Sequence, residues 1–394
     1  MNEAAIPLYT FRFGLLCASS FLFSASFNML IPELPAYLSS LGGAEYKGLI
    51  IALFTVTAGL SRPFSGKLTD TVGRVPVMAV GSLVCFVCGF LYPLLGTVWG
   101  FLTLRLFHGF STGFKPTATA AYIADVVAPN RWGEAMGFHG ICFSTGMAIG
   151  PALGSFVTAQ YGINGLFYTS SLFALLSILI LGNLPETHPE KQRFKVSFLK
   201  LSAHEILEPR VLPAAIITLL GYVSYGAVLT LVPDWSSHLG VTNKGTFFIV
   251  FTVASLLVRF AAGRVSDRHG RIAVLKWASV LLVLSLLVIG WAQSALVLMV
   301  GAFIYGIATG LFSPASNALT ADMSLPEHRG RAMATMYIAL EVGIGLGALL
   351  AGWAFADRMH MVPPIFFASA LVSLAGLVYL LVTFRKGNGL PEKQ

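Results

Sequence analysis

Seven ionisable side chains stand inside otherwise apolar stretches of this chain: Glu33, Arg105, His108, Lys115, His139, Asp234 and Glu341. Charge is costly in such surroundings, so each by default marks a path for protons, ions or a polar solute. The chemistry they suit is proton exchange and charge recognition, with no covalent bond made or broken. Glu341 is the clearest case. It precedes Gly343, Gly345 and Gly347 in a long apolar run and has no basic residue within a helical turn. Isolation from water disfavours the charged carboxylate, which makes Glu341 a candidate proton carrier near neutral pH, with a structural hydrogen bond to a facing helix as the alternative. Arg105, His108, Thr112, Lys115 and Thr119 step by three or four residues, a spacing that predicts one polar stripe on a helix, facing a cavity. Lys115 has interhelical contact as its alternative. Glu33 follows Pro32 and Asp234 follows Pro233; both acids fall near the ends of spans, either in the pathway or at the membrane interface. Arg105 is expected to face inward and hold Glu33, since a guanidinium stays charged and its partner must titrate.

Three patterns imitate other chemistries. Gly109-Phe-Ser111-Thr-Gly113 matches the serine-hydrolase elbow, which needs a strand-to-helix turn; here it lies mid-run, and Ala308 replaces the serine in the matching segment 306–310. Gly343 to Gly347 resembles part of a dinucleotide fingerprint, but no strand precedes it, so close helix packing explains it better. Cys85-x-x-Cys88, with Cys17 and Cys142, lies in apolar sequence without His or acid nearby and reads as small hydrophobes. No enzyme activity, metal or cofactor is expected.

The elements that position these groups are long apolar helices. The chain is 56% hydrophobic and 11% charged, less than half the charged share of ordinary soluble domains. Residues 11–31 carry one charge and 280–291 none, where a crossing helix needs about 20 mostly apolar residues. Hydropathy and turn signals place spans near 11–38, 46–66, 75–95, 98–124, 133–158, 164–184, 210–235, 246–264, 272–291, 296–321, 332–355 and 362–384. These runs are too long, and alternate too little, for barrel strands. The expectation is an all-α polytopic membrane protein of twelve spans, with the first apolar stretch retained as span one.

The chain is also duplicated. Residues 66–74 read GKLTDTVGR, and residues 263–271, 197 positions later, read GRVSDRHGR. The same shift lays Arg62 on Arg259, Gly109 on Gly306, Asp125 on Asp322, and Gly146 and Gly150 on Gly343 and Gly347. A register held so far implies repeated architecture: a six-span bundle over 1–184, a linker over 185–209, and a second bundle over 210–394. Eighteen of the 25 Lys and Arg, Lys67, Arg74, Arg131 and Arg271 among them, fall on the predicted side that carries both termini. The other side has Lys47, Lys244 and Arg358. That bias predicts cytoplasmic termini. It also accounts for the net charge of +8 without nucleic-acid binding.

In the repeated loop, Gly66 and Gly73 allow a tight turn. Asp70 can accept from a helix N-terminus, and Arg74 can pair with Asp125. Gly263, Asp267, Gly270, Arg271 and Asp322 form the second set. Two six-span halves, each with this G-x-[LV]-[ST]-D-x-x-G-R loop after its second span, resemble the major facilitator superfamily of secondary transporters along the whole chain. Arg105-Leu-Phe-His-Gly109 is similar to a motif of the proton-driven drug-efflux branch. Gly146-x-x-x-Gly150-Pro151-x-x-Gly154 is similar to its span-five antiporter motif, departing at Ser155 where glycine is common.

The resemblance implies two bundles about a pseudo-twofold axis along the membrane normal, with a central cavity opening alternately to each side. It further implies that the loop clusters hold the cytoplasmic side shut in the outward-facing state. The expected function is proton-coupled export of a small organic solute across a bacterial inner membrane by a monomer. The alternatives are an importer or facilitator, with an anionic solute among the options, and a receptor that keeps the fold without transport.

Overall fold

The computed structural model describes residues 10–127, 131–188, 192–200, 207–325 and 329–384, with backbone alone at 132–133, 260–269 and 329–330. Among these residues every regular element is helical. Span one is Phe11–Asn28, continued past a turn by Leu34–Ser40. Span two is Lys47–Thr69, span three Arg74–Leu91, and span four Val98–His108 with Phe110–Val126. Spans five and six share one helical element, Trp132–Leu181. Its 50 residues would run about 75 Å if straight, more than two bilayer cores. The chain turns between them at Gly162, whose φ of 73° suits a residue without Cβ. Spans seven to twelve are Leu212–His238, Thr246–His269, Arg271–Gly290, Ala295–Met323, Arg329–Phe355 and Val362–Thr383. Eight helical segments among the described residues are long and apolar enough to cross a bilayer on composition alone. The serine-rich first span, the fourth, divided at Gly109, and the eighth, whose apolar part is the shorter Thr246–Arg259, cross with them.

Twelve crossings bring residues 10 and 384 to one face, here the terminal face; its opposite is the far face. Spans one to six form one bundle and spans seven to twelve another, with spans two against eleven and five against eight as the main contacts between them. The two contacts are equivalent under the 197-residue shift. The apolar cores are arranged unequally. At the far face one cluster joins both bundles, from Met29, Leu34 and Ile50 to Trp235, Phe247 and Phe355. At the terminal face the bundles keep separate cores, around Phe13, Met78 and Tyr122 in one and Ile217, Leu275 and Leu319 in the other. Among the described residues, the buried apolar cluster that holds the halves together lies at the far face.

Candidate functional site

Polar contacts repeat that asymmetry. At the start of span two, Lys47 Nζ reaches Asp234 Oδ2 of span seven at 2.7 Å and Asp357 Oδ1 after span eleven at 2.5 Å. At the start of span eight, Lys244 Nζ reaches Glu33 Oε2, after span one, at 3.0 Å. Lys47 and Lys244 are 197 positions apart, so the two lysines are pseudo-twofold copies, each crossing to an acid at the far end of the other half's first span. Glu33 also accepts from Ser155 Oγ at 2.7 Å, which gives the departure from the glycine motif a structural role. Glu33 and Asp234 thus close the far face and do not line the described central cavity. Sequence reasoning took both lysines as loop charges; their separation by the repeat shift was the signal that could have found them.

A central cavity of about 300 Å³ lies between the bundles, walled by Phe27, Phe54, Phe143, Tyr222, Tyr225 and Phe251. Arg105, Arg259 and Glu341 are its charged lining, with Asn28, Thr55, Thr112 and Thr309 as further polar groups. Glu341 Oε1 accepts from Arg62 Nη2 of span two at 2.8 Å, an ion pair joining the halves. The Arg62 guanidinium also lies 4.7 Å from the Tyr337 ring centre. Glu341 had no basic neighbour in sequence because its partner comes from the other bundle. Glycine explains how the helices approach: Gly343 and Gly347 lie against backbone carbonyls of Leu219 and Val223 in span seven, while Gly345 faces Thr55 of span two. The Glu341 carboxylate also borders a lateral apolar cavity of about 1000 Å³ between spans two and eleven.

The stripe on span four divides. Arg105 and Thr112 line the central cavity; His108, Lys115 and Thr119 are buried inside the first bundle. At 3.6 residues per turn, Thr112 lies about 20° round the helix from Arg105, whereas His108 and Lys115 lie about 60–80° to the same side. That rotation carries them away from the cavity. His108 shares hydrogen bonds with Cys85 Sγ and Tyr92 Oη, both at 3.1 Å. Lys115 Nζ donates to Ser19 Oγ at 2.8 Å, Ser82 Oγ at 3.0 Å and Ser177 Oγ. The expected Arg105–Glu33 pair is absent. Arg105 Nε donates to the Ile50 carbonyl at 3.0 Å, and its guanidinium stacks on Phe54. His139 sits between spans five and one, bonded to Ser20 Oγ at 2.9 Å.

At the terminal face Arg74 bonds Asp125 Oδ2 at 2.9 Å and Asp70 Oδ1 at 3.2 Å. The anion at the N-terminus of span three is Glu186, not Asp70. Glu186 accepts from the backbone N–H groups of Arg74, Val75, Thr187 and His188 at 2.9–3.0 Å. Burial alone would push its carboxyl up, but those four N–H groups outweigh it and hold the pKa below the ordinary value. Gly73, at φ 125°, leaves the space that this carboxylate fills. In the sequence Glu186 reads only as one charge of the linker. In the second set Arg271 reaches Asp322 at 3.4 Å, whereas Gly263 is described by its backbone alone and the Asp267 side chain lies outside the described residues; Gly270 turns at φ 83°. Between the halves a cavity of about 850 Å³ opens beside Gly66, Asp70, Thr112, Arg331 and Tyr337.

The profile described as Major Facilitator Superfamily matches residues 16–250 and again 214–394. The chain belongs to the major facilitator superfamily. As a member it is a multi-pass membrane transporter of small molecules, not an enzyme. The chain is 25% identical over 379 residues to the multi-drug resistance efflux pump PmrA homolog of Lactococcus lactis, covering 93% of each. It is 26% identical over 380 residues to the multidrug resistance protein MdtG of Escherichia coli, covering 93% of this chain and 92% of the other. The human organic anion transporter MFSD10 shares the superfamily fold at TM-score 0.72 and 21% identity, covering 93% of this chain and 98% of the other. A POT family transporter in complex with 5-aminolevulinic acid shares it at TM-score 0.81 and 13% identity, over 97% and 98%.

In this superfamily member the span-five motif is a packing surface. A Cβ at Gly146 would meet the Phe21 carbonyl at 2.6 Å, and Gly150 and Gly154 press equally on Ala25 and Met29 of span one. Gly245 rests on the backbone of Pro151 and Ala152, so the far end of span five also seats the start of span eight.

Proposed function

We propose that this transporter exports small organic solutes in exchange for protons, its terminal face lying in the cytoplasm of a bacterial inner membrane. The structure is then the inward-open state. The far face closed by Lys47 and Lys244, the 850 Å³ cavity on the terminal face and the basic bias of the terminal side support that reading. The efflux names of the relatives from Lactococcus lactis and Escherichia coli favour export over uptake.

The observation that carries the proposal is the Glu341–Arg62 pair. It is an ionisable carboxylate bonded across the two moving halves, at the wall of the central cavity. Ionised, Glu341 ties span eleven to span two. A proton on the carboxylate removes the charge that Arg62 answers, so that contact loosens and the halves are freer to rock. Arg62 stays charged throughout, leaving the carboxylate as the titrating member. Solute enters the cavity from the terminal face, and apolar solute also through the lateral opening that reaches Glu341. In each export cycle the proton arrives on Glu341 when the far face is open, and leaves to the terminal side as the Arg62 bond re-forms.

Flux in proteoliposomes with an imposed pH gradient tests this. Glu341→Gln is expected to abolish accumulation against a gradient while solute binding stays measurable. Uphill transport with normal pH dependence in that variant would place coupling elsewhere.

A further inference from the structure

The 197-residue shift lays Arg62 on Arg259 and Glu341 on Ser144. The contact between spans two and eleven therefore holds an arginine with its carboxylate, and its pseudo-twofold copy between spans five and eight keeps only the arginine. Among the described residues no hydrogen bond or ion pair engages the Arg259 side chain. It is exposed and borders both the central cavity and a second cavity of about 500 Å³ beside Gly140, Ile141 and Asn317. The carboxylate lining that second cavity, Glu134, is already held by Arg131 through bonds of 3.1 and 3.0 Å. Ser144 lies between Ile141, on the wall of the second cavity, and Met147, on the wall of the central one.

Charge in the central cavity is also one-sided. Arg105 and Arg259 face a single lining carboxylate, Glu341, and Arg62 has already answered that carboxylate. A guanidinium cannot discharge itself at physiological pH, so Arg259 presents a permanent cation to whatever fills the cavity. An organic cation entering here would meet two guanidiniums and no open acid. An anion would find a planar, five-donor fork beside aromatic walls.

We propose that Arg259 recognises an organic anion: a solute with a carboxylate, sulfonate or phosphonate group on an aromatic or otherwise apolar body. The anionic group pairs with Arg259, in the place that an acid at position 144 would take, and the body lies against Phe54, Tyr222, Tyr225 and Phe251. The solute thereby completes the second copy of the Arg62–Glu341 pair. This deepens the transport reading above and rests on it for the direction of movement, but binding is measurable without flux.

The test uses the purified full-length protein in neutral detergent and two matched probes, 2-naphthoate and 2-naphthylmethylammonium. A ligand that binds only the native state raises the melting temperature. The anion is expected to raise it and the cation to leave it unchanged. Arg259→Gln is expected to weaken the anion's apparent Kd at least tenfold, and Arg259→Lys to retain part of the binding. Ser144→Glu, which supplies the missing internal carboxylate, is expected to abolish binding. Unliganded melting curves show that each variant folds; if Arg259→Gln fails to fold, the lysine and Ser144→Glu variants carry the test. Stabilisation by the cation, by neither probe, or by the anion undiminished in Arg259→Gln overturns the proposal. So does an Arg259-dependent shift given by phosphatidylglycerol and not by 2-naphthoate, since the occupant would then be lipid. Anion binding without pH-driven flux in proteoliposomes would instead leave this proposal standing and defeat the transport reading.

Discussion

Replacing Lys47 by Met should unlatch the far face. The Lys47 side chain is 4% exposed, Asp234 12% and Asp357 46%, so the substitution strands one nearly buried carboxylate and one that water can reach. Removing one member of a buried pair costs about 3–5 kcal/mol, whereas an exposed pair contributes about 0.2–1 kcal/mol. With Asp234 slightly wet, the lower bound applies, about 3 kcal/mol against the far-closed state. That is a shift of roughly 150-fold in the ratio of far-closed to far-open molecules. Ile31 lines the central cavity and is shielded from the far side while the latch holds. A cysteine at position 31, in a background without the four native cysteines, should react with a membrane-impermeant maleimide added to the far side. Its rate should rise by up to that factor in Lys47→Met, while a cysteine at the exposed loop position Gly96 labels equally in both. Adding Asp234→Leu should return most of the protection, because removing both members of a buried pair is far less costly than removing one. Unchanged labelling at position 31, with normal labelling at 96, would refute the view that these ion pairs hold the far face.

Lys244→Met should act likewise but more weakly, Glu33 keeping its hydrogen bond from Ser155, and the same labelling assay measures it. Gly154→Ala should lower the melting temperature by several degrees, because a Cβ there collides with the Met29 carbonyl, while Gly137→Ala, with open space, should not. Glu186→Gln should remove about 0.3–1 kcal/mol of helix-end stabilisation. The Glu186 carboxyl is held below its ordinary value, so its contribution is present above the unfolded value of about 4.3 and fades as pH falls through the folded one. Thermal melts between neutral and strongly acid pH should therefore converge for wild type and variant at the acid end. Lys115→Met should cost little transport, because its serine cage (Ser19, Ser82, Ser177) lies inside one bundle and not in the pathway; loss of transport in a stably folded variant would place Lys115 in the mechanism.

The fold was legible because the evidence for it is local and repeated: apolar runs of crossing length, and one nine-residue loop occurring twice. The Arg74–Asp125 contact was legible for the same reason, being drawn from a loop and a span end inside one bundle. Contacts between bundles were harder to read. Glu341 looked solitary because Arg62 stands 279 positions away, and Glu33 was paired in expectation with Arg105 because both lay in the same half. Span four shows a second limit. Residues three and four apart share a face only broadly, and about 60° of rotation separates a cavity wall from a bundle core. The repeat shift held more than was drawn from it, for it already matched Lys47 with Lys244.

The linker is tied down separately at each end. Glu186 and His188 fasten its start to the first bundle, and Glu208 fastens its finish to span eleven through Arg331 at 3.0 Å and the Thr335 hydroxyl at 2.8 Å. Each half therefore holds the stub of connector that belongs to it. Severing the chain between residues 200 and 207 would leave both stubs docked, Gln192 and Lys200 included on the first bundle, so two polypeptides made separately should reassemble on contact. Physical continuity between them would then serve delivery in equal numbers more than architecture, in keeping with a six-span unit that occurs twice in the sequence.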